Sequence, residues 1–453
     1  MKLRDLRTKL GPLWWYTLMI FLVQRFGDVI NAFIGVWLVP RYVPMEELGT
    51  LRPLMQIGAL LGMPIGLLVT PYIKLLNTHA ARGEHGKVKA LLRDAAIFAA
   101  VVSPLTLVAA RFVMPSAFSL MRITNGRLAL VIVVTSILGA VTPIFTEAMR
   151  ALKRFRSYST IGLFSAPLRL AALLVAMPIR GLTGYFAGQS TGPLLTIGLS
   201  AIDLIRTFGR KVRCESYWKE DRKVFLAYLV PLGIMTVAGN IRGTMEMLLL
   251  PSLPAIESAA FYHLSIFSEI TTYFLSPMIF VMFPLVAERH EKGEKTRRTL
   301  VQTMAVCIGV GIVSALALTW IGKPLFSLAD ATVFGRRPFG FAAVWKPYVV
   351  YTKYFGILAL TAGLRMAMSC FGSHELACRR FRYAWYTVPI ALFEALLIRL
   401  AYRYPQVSGY GTWHLGGVLA IMFAFTLLPL LCAVIDLALS YGRERTASTS
   451  SRI

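Results

Sequence analysis

Charge is scarce in this sequence, and what there is leans to one sign. Of 453 residues only 15% are Asp, Glu, Lys or Arg, while 56% are hydrophobic, and the mean hydropathy is +0.63. Soluble domains are about one quarter charged, so a soluble protein of this length is excluded. Acids are the scarcer sign: 22 Asp and Glu stand against 48 Lys and Arg, a formal net charge of +26. The excess does not point to nucleic acid, because the basic residues lie in short stretches between apolar runs with no soluble domain to offer them to a duplex. Cysteine is rare and scattered. Of Cys214, Cys307, Cys370, Cys378 and Cys432, only Cys370 and Cys378 come close, without the His or Asp cluster that would complete a metal site. They are expected to be packing thiols. There is no His/Glu zinc pattern, phosphate-binding Gly loop or nucleophile elbow, so neither an enzyme nor a cofactor is expected. His263, alone in an apolar run, is expected to be packed rather than catalytic. Met1 to Leu10 is basic and leads into an apolar run, as a signal peptide does. That run lacks an Ala-x-Ala cleavage pattern and continues past Asp28, so a retained first span is expected.

What the chain has in quantity is long apolar runs. A bilayer core of about 30 Å takes about 20 apolar residues per helix. Runs of that kind lie near 13–39, 51–76, 94–113, 127–148, 160–178 and 184–206, and again near 224–250, 258–287, 300–320, 345–371, 385–402 and 413–439. The expected fold is therefore an all-α polytopic membrane protein with about 12 transmembrane helices. With Met1 on the cytoplasmic side, the cytoplasmic segments carry about 30 Lys and Arg and the other side about 9, which places both termini in the cytoplasm. The most basic of these segments holds Arg210, Lys211, Arg213, Lys219, Arg222 and Lys223. The longest outer loop, Ile321 to Val344, is too short for a folded domain, and the Ser/Thr-rich tail from Gly442 is expected to be disordered. Pro53, Pro64, Pro71, Pro143, Pro167, Pro231, Pro277 and Pro284 interrupt the runs, as hinges or as plain kinks.

The runs are arranged twice. The basic hinge Arg150-Ala151-Leu152-Lys153-Arg154-Phe155-Arg156 has a near copy in Ala377-Cys378-Arg379-Arg380-Phe381-Arg382, 226 positions on. Pro44, Glu47, Gly83 and Glu84 recur as Pro254, Glu257, Gly293 and Glu294, each 210 positions on. The second half thus holds about sixteen extra residues, which fit best in the loop around Lys323 to Lys346. The expected organisation is a six-helix bundle over 1–206, a basic cytoplasmic linker over 207–223, a second six-helix bundle over 224–439 and a cytoplasmic tail over 440–453. Duplicated bundles of this kind are a hallmark of secondary transporters.

An ionisable group near the bilayer centre costs on the order of 3 kcal/mol, so it usually faces a partner or a water-filled cavity. Arg25 with Asp28 and Arg242 with Glu246 have helical spacings that place each pair on one face. Each pair either neutralises itself within its helix or serves a cavity. Arg169 and Arg365 have no acid within a helical turn and need partners from other helices, or a ligand. Glu269 and Glu394 lie mid-span as candidate counter-ions, and Glu147 lies at the inner end of its run. Arg52, near an outer end, can snorkel to the interface. Arginine at such depth suits phosphate or pyrophosphate, because its planar fork donates two parallel hydrogen bonds and stays charged. The rough balance of mid-span arginines and acids suits an anion exchanged against a proton or another cation.

Two six-helix halves, Glu46-Glu47-Leu48-Gly49-Thr50 after the first run, Arg82-Gly83-Glu84 after the second and Leu152-Lys153-Arg154-Phe155 after the fourth resemble one family. It is the polysaccharide-transporter branch of the multidrug/oligosaccharidyl-lipid/polysaccharide (MOP) flippase superfamily, best known for the Wzx-type O-antigen flippases. The resemblance covers nearly the whole chain and implies a MATE/MOP-like pair of pseudo-symmetric bundles. The lipid II flippases of the superfamily have fourteen spans, which argues against that substrate here. The resemblance implies a bacterial inner-membrane transporter that moves a polyprenyl-pyrophosphate-linked oligosaccharide between leaflets by alternating access. A cationic cavity is implied with it, for which Arg25, Arg169, Arg242 and Arg365 are the candidates by depth, joined by Arg52. Asp28, Glu147, Glu246, Glu269 and Glu394 would be counter-ions or coupling groups, with H+ or Na+ as the coupling ion. The implied partners are the lipid-linked oligosaccharide, the bilayer and polysaccharide-assembly proteins, without nucleic acid. Three other readings stay open: a multidrug or toxin exporter of the same superfamily, a membrane glycan polymerase, and a non-transporting scaffold for glycan synthesis.

Overall fold

The computed structural model describes residues 21–121, 123, 125–209, 212–291, 294, 296–328, 346–378, 382–403 and 414–450. The basic Met1 to Leu10 stretch, Arg210 and Lys211 of the linker, Gly293, most of the loop after Ile321, and Arg379, Arg380 and Phe381 of the second hinge lie outside them. Among the described residues the chain is helical, with no strand. Lipid offers no hydrogen bonds to a backbone, and a helix satisfies its own, so apolar runs of this length become helices. The main helices are α1 (Phe21–Tyr42), α2 (Leu51–Ala81), α3 (His85–Leu120), α4 (Gly126–Ala151), α5 (Phe155–Phe208), α6 (Trp218–Leu248), α7 (Ala255–Glu291), α8 (Arg297–Leu328), α9 (Phe355–Ala377), α10 (Ala384–Arg403) and α11 (Leu415–Ser450).

Nine helices among the described residues are long and apolar enough to cross a membrane. One of them, the 54-residue α5, is broken at Gly181, where φ is +52° and ψ −126°, and provides two of the predicted spans. The predicted spans near 258–287 and 385–402 fall on α7 and α10. Every expected run is therefore helical where it is described, and the chain is a multi-pass membrane protein. Large apolar side chains remain on the outside, with Trp320 82% and Trp385 83% exposed. Such exposure is costly in water and costs nothing against lipid.

The tail departs from expectation, because α11 continues to Ser450. Leu437, Ala438, Leu439, Arg443, Glu444 and Arg445 are strong helix formers and carry the helix past its last apolar turn. The loop expected after Ile321 also begins later, since α8 runs to Leu328.

The chain divides into two compact units, 1–240 and 241–453. The buried core of the first is built from Ile65, Tyr72 and Leu76 of α2, Val88 and Leu91 of α3, Ile144 and Met149 of α4, and Ile161 and Leu204 of α5. The Tyr72 hydroxyl donates to the Ile144 carbonyl at 2.9 Å and ties α2 to α4. Beyond Gly181 the second arm of α5 returns along the first, and glycines at helical spacing make that possible. A β-carbon on Gly184 would lie 2.1 Å from the Ala176 carbonyl oxygen, and one on Gly188 2.7 Å from Leu173. At Gly192 the neighbour is Arg169, 3.4 Å away. In the second unit Gly311 of α8 and Gly363 of α9 make a similar close crossing.

Where they are described, the duplicated motifs share backbone hydrogen bonds. The Glu84 amide donates to the His79 carbonyl at 3.0 Å, and the Glu294 amide to the Arg289 carbonyl at 2.9 Å. Likewise the Leu152 amide donates to Ala148 at 3.1 Å and the Cys378 amide to His374 at 2.9 Å. In the first hinge Lys153 takes φ +57°, and Arg154 grips both carboxylate oxygens of Asp203 at 2.6 and 2.7 Å.

Candidate functional site

Among the described residues each unit holds a polar site that contains arginine. In the first, α1, α4 and both arms of α5 enclose a cavity of about 360 Å³, large enough for a small ligand group. Gln24 and Gly27 line it from α1, Thr142 and Thr146 from α4, and Ser165, Arg169, Gly192 and Thr196 from α5. Arg169 is the charged residue of this lining. Its Nη2 donates to Oδ1 of Asn31 on α1, and its stem lies beside Gly192. Several of the hydroxyls donate back to their own helices, as Thr142 does to Leu138 and Thr196 to Gly192. Their remaining lone pairs make the wall polar without adding charge.

In the second unit four charged residues and one hydroxyl converge from four helices. Arg242 and Glu246 stand on α6, Arg365 on α9, Glu394 on α10 and Thr426 on α11. Arg365 Nη2 donates to Glu246 Oε2 at 2.7 Å, and Arg242 Nη2 lies 3.2 Å from Glu246 Oε1. Arg242 Nε lies 2.6 Å from Glu394 Oε2, a close charge contact whose N–H is not aligned for a hydrogen bond. Thr426 accepts from Arg242 Nη2 at 3.1 Å and from Arg365 Nε at 3.4 Å. The acids form the buried floor, Glu394 at 0% and Glu246 at 1% exposure, while 42% of the Arg365 side chain is open. With both acids ionised the cluster is neutral. An anion that takes the guanidinium N–H groups competes with the carboxylates for them, and a proton on either carboxylate leaves the cluster net positive.

The sequence-predicted residues thus separate into groups. Arg242, Glu246, Arg365 and Glu394 are brought together, and the Arg242–Glu246 pair is both internal to its helix and part of the larger cluster. Arg365 finds its acid in Glu246, and Glu394 serves Arg242. Arg25 pairs with Asp28 at 3.1 Å on α1, beside the Phe21 ring. Glu147 binds Arg150 at 2.6 Å at the end of α4. Glu269 accepts from Tyr273 at 3.3 Å one turn along α7, and Arg52 is half-buried in the first turn of α2. His263 is buried with its ring 4.6 Å from that of Tyr348. Sequence reasoning missed Asn31 and Thr426. Both are neutral polar residues inside apolar runs, a weak signal on its own, and here each meets an arginine from another helix.

No protein-family model matches the chain, and no curated protein sequence matches it. Solved structures do. A MATE transporter in its straight conformation superposes with a TM-score of 0.62 at 11% identity, over 96% of this chain and 95% of the other. A mutant of the MATE transporter VcmN from Vibrio cholerae gives 0.61 at 12% identity, over 94% and 93%. A MOP-superfamily transporter from Pyrococcus furiosus, described as having a binding pocket of reverse polarity that suggests a different function, gives 0.61 at 12% identity, over 95% and 94%. The chain therefore has the MATE/MOP transporter fold.

Proposed function

We propose that this chain is a membrane transporter of the MOP type that flips a polyprenyl-pyrophosphate-linked oligosaccharide across the bacterial inner membrane, for surface polysaccharide assembly. The observation that carries the reading is the charge of the two clusters: each presents arginine toward open space, with the acids of the second unit underneath. Arg169 in its hydroxyl-lined cavity suits a phosphate flanked by sugar. Arg242 and Arg365 supply forked donors for a pyrophosphate, and Glu246 and Glu394 hold them in place until the anion arrives. Movement requires that inward and outward states bind the head group differently, since equal affinity for both shifts nothing. A proton taken up by Glu246 or Glu394 would strengthen the cluster for an anion, and this is how H+ coupling would enter.

The test is transbilayer movement of a fluorescent polyprenyl-pyrophosphate oligosaccharide in proteoliposomes. Native protein is expected to move it, and Arg169→Ala and Arg365→Ala each to lose most of the rate. Unchanged rates in both variants would remove the cationic assignment. The second reading, a multidrug exporter, rests on the likeness to MATE transporters and on the two buried acids. It predicts drug resistance on overexpression, lost in Glu394→Gln and retained in Arg365→Ala.

A further inference from the structure

The turn between α2 and α3 holds a histidine in an arrangement that neither the transporter reading nor the fold requires. His79, 1% exposed, ends α2 with carboxylates on both ring nitrogens. Glu84 Oε2 lies 2.5 Å from Nδ1, and Asp221 Oδ2 lies 2.7 Å from Nε2. Glu84 belongs to the same turn, whereas Asp221 stands in the first turn of α6, 142 residues away. A neutral imidazole has one N–H and one lone pair. Between two carboxylates it would turn that lone pair toward an anion, so this geometry calls for the doubly protonated ring.

The duplicated turn supplies an independent comparison. Its equivalent of His79, 210 positions on, is Arg289, and Arg289 Nε lies 3.9 Å from Glu294, the counterpart of Glu84. Where the second half has a guanidinium, the first half has an imidazole.

We infer that His79 is a proton-binding latch: its imidazolium fastens the start of α6 to the α2–α3 turn, and loss of the proton releases it. The other groups facing the latch fit this assignment. Lys87 of α3 lies 3.5 Å from Glu84 and 2.7 Å from Glu220 of α6. Tyr217 donates to Asp94 of α3 at 3.2 Å, and Asp94 is paired with Arg93 at 2.8 Å. The Glu215 amide donates to the Gly86 carbonyl at 3.3 Å. His85 begins α3 in the same turn, and Cys214 lies exposed in the segment that the latch fastens; His79 is the histidine that the two carboxylates enclose. The hydrogen bond from His79, with help from Lys87, holds the Glu84 carboxyl below its ordinary range. A lowered acid contributes above its unfolded range and stops contributing as pH falls through its folded value. The latch is therefore lost on the acid side with the Glu84 carboxylate, and its opening on the alkaline side is the release proposed for the His79 proton. Segment 212–221, which it fastens, leads into the helix that enters the second unit.

Hydrogen exchange of full-length protein in lipid nanodiscs, read by mass spectrometry over peptides covering 212–225, tests the latch. Rates are corrected for the intrinsic pH dependence of exchange. In native protein, protection of this segment is expected to fall about tenfold or more on going from pH 6 to pH 9, the scale of one charged hydrogen bond. His79→Arg is expected to stay protected across the range, and Asp221→Asn to be unprotected throughout. His79→Gln should match Asp221→Asn, and if it fails to fold the other two variants decide. Flat protection in native protein, or a pH-dependent fall in His79→Arg equal to the native one, would overturn the inference.

Discussion

The arginines of the second unit differ from the other charged residues by what lies beneath them. Arg242 sits 2.6 Å from Glu394, which is fully buried, so Arg242→Ala would strand a carboxylate away from water. Losing one partner of a buried pair costs about 3–5 kcal/mol. Arg25→Ala, which opens a pair about a quarter exposed, should cost less than Arg242→Ala. Thermal unfolding in detergent is expected to show a clear fall of the midpoint for the first variant and a small one for the second. Equal shifts would mean that burial does not set the strength of these pairs. The same contrast marks what could be read from sequence. Arg365 and Arg169 announced a need for partners because lipid makes a lone charge expensive. Asn31 and Thr426, which supply part of the answer, are neutral, and membrane helices tolerate such residues for many reasons. Nor could spacing tell whether Arg242 and Glu246 satisfied only each other, since that depended on Arg365 and Glu394 arriving from α9 and α10.

Among the helices, α5 is the one whose form rests on absent side chains. Gly181 supplies a φ of +52° that lets the chain reverse, and Gly184 and Gly188 let the two arms lie close. A β-carbon at Gly184 would meet backbone, which cannot swing aside, so Gly184→Ala should separate the arms. Gly66 in α2 has open space around its missing β-carbon, and Gly66→Ala should be neutral or stabilise by about 0.5–1 kcal/mol. Size-exclusion yield and the unfolding midpoint of the two variants check this; equal behaviour would show that the arms are not held at glycine contact. The two arms were legible as spans near 160–178 and 184–206, because Pro178, Arg180 and Gly181 interrupt the apolar run. Their pairing was not, because glycine leaves no trace in a hydropathy pattern. Nor was the helical end of α11, where polar composition argued for disorder and the helix-forming residues prevailed.

At the scale of the whole molecule, the distribution of basic residues makes a directional prediction. Cys214 is the exposed member of the five free thiols, and Cys307, Cys370 and Cys378 are buried. It lies in the basic linker that charge asymmetry assigns to the cytoplasm. In intact spheroplasts a membrane-impermeant maleimide is expected to leave Cys214 unlabelled, and in inverted vesicles to label it. Labelling in spheroplasts would reverse the orientation. The duplication has a use at this scale as well. Because the turn at His79 and Glu84 recurs at Arg289 and Glu294, the polypeptide contains its own reference. Whatever alters expression, insertion or lipid composition acts on both copies alike. The ratio of exchange rates at the two turns in one sample therefore cancels those influences, and leaves the chemical difference between an imidazole and a guanidinium.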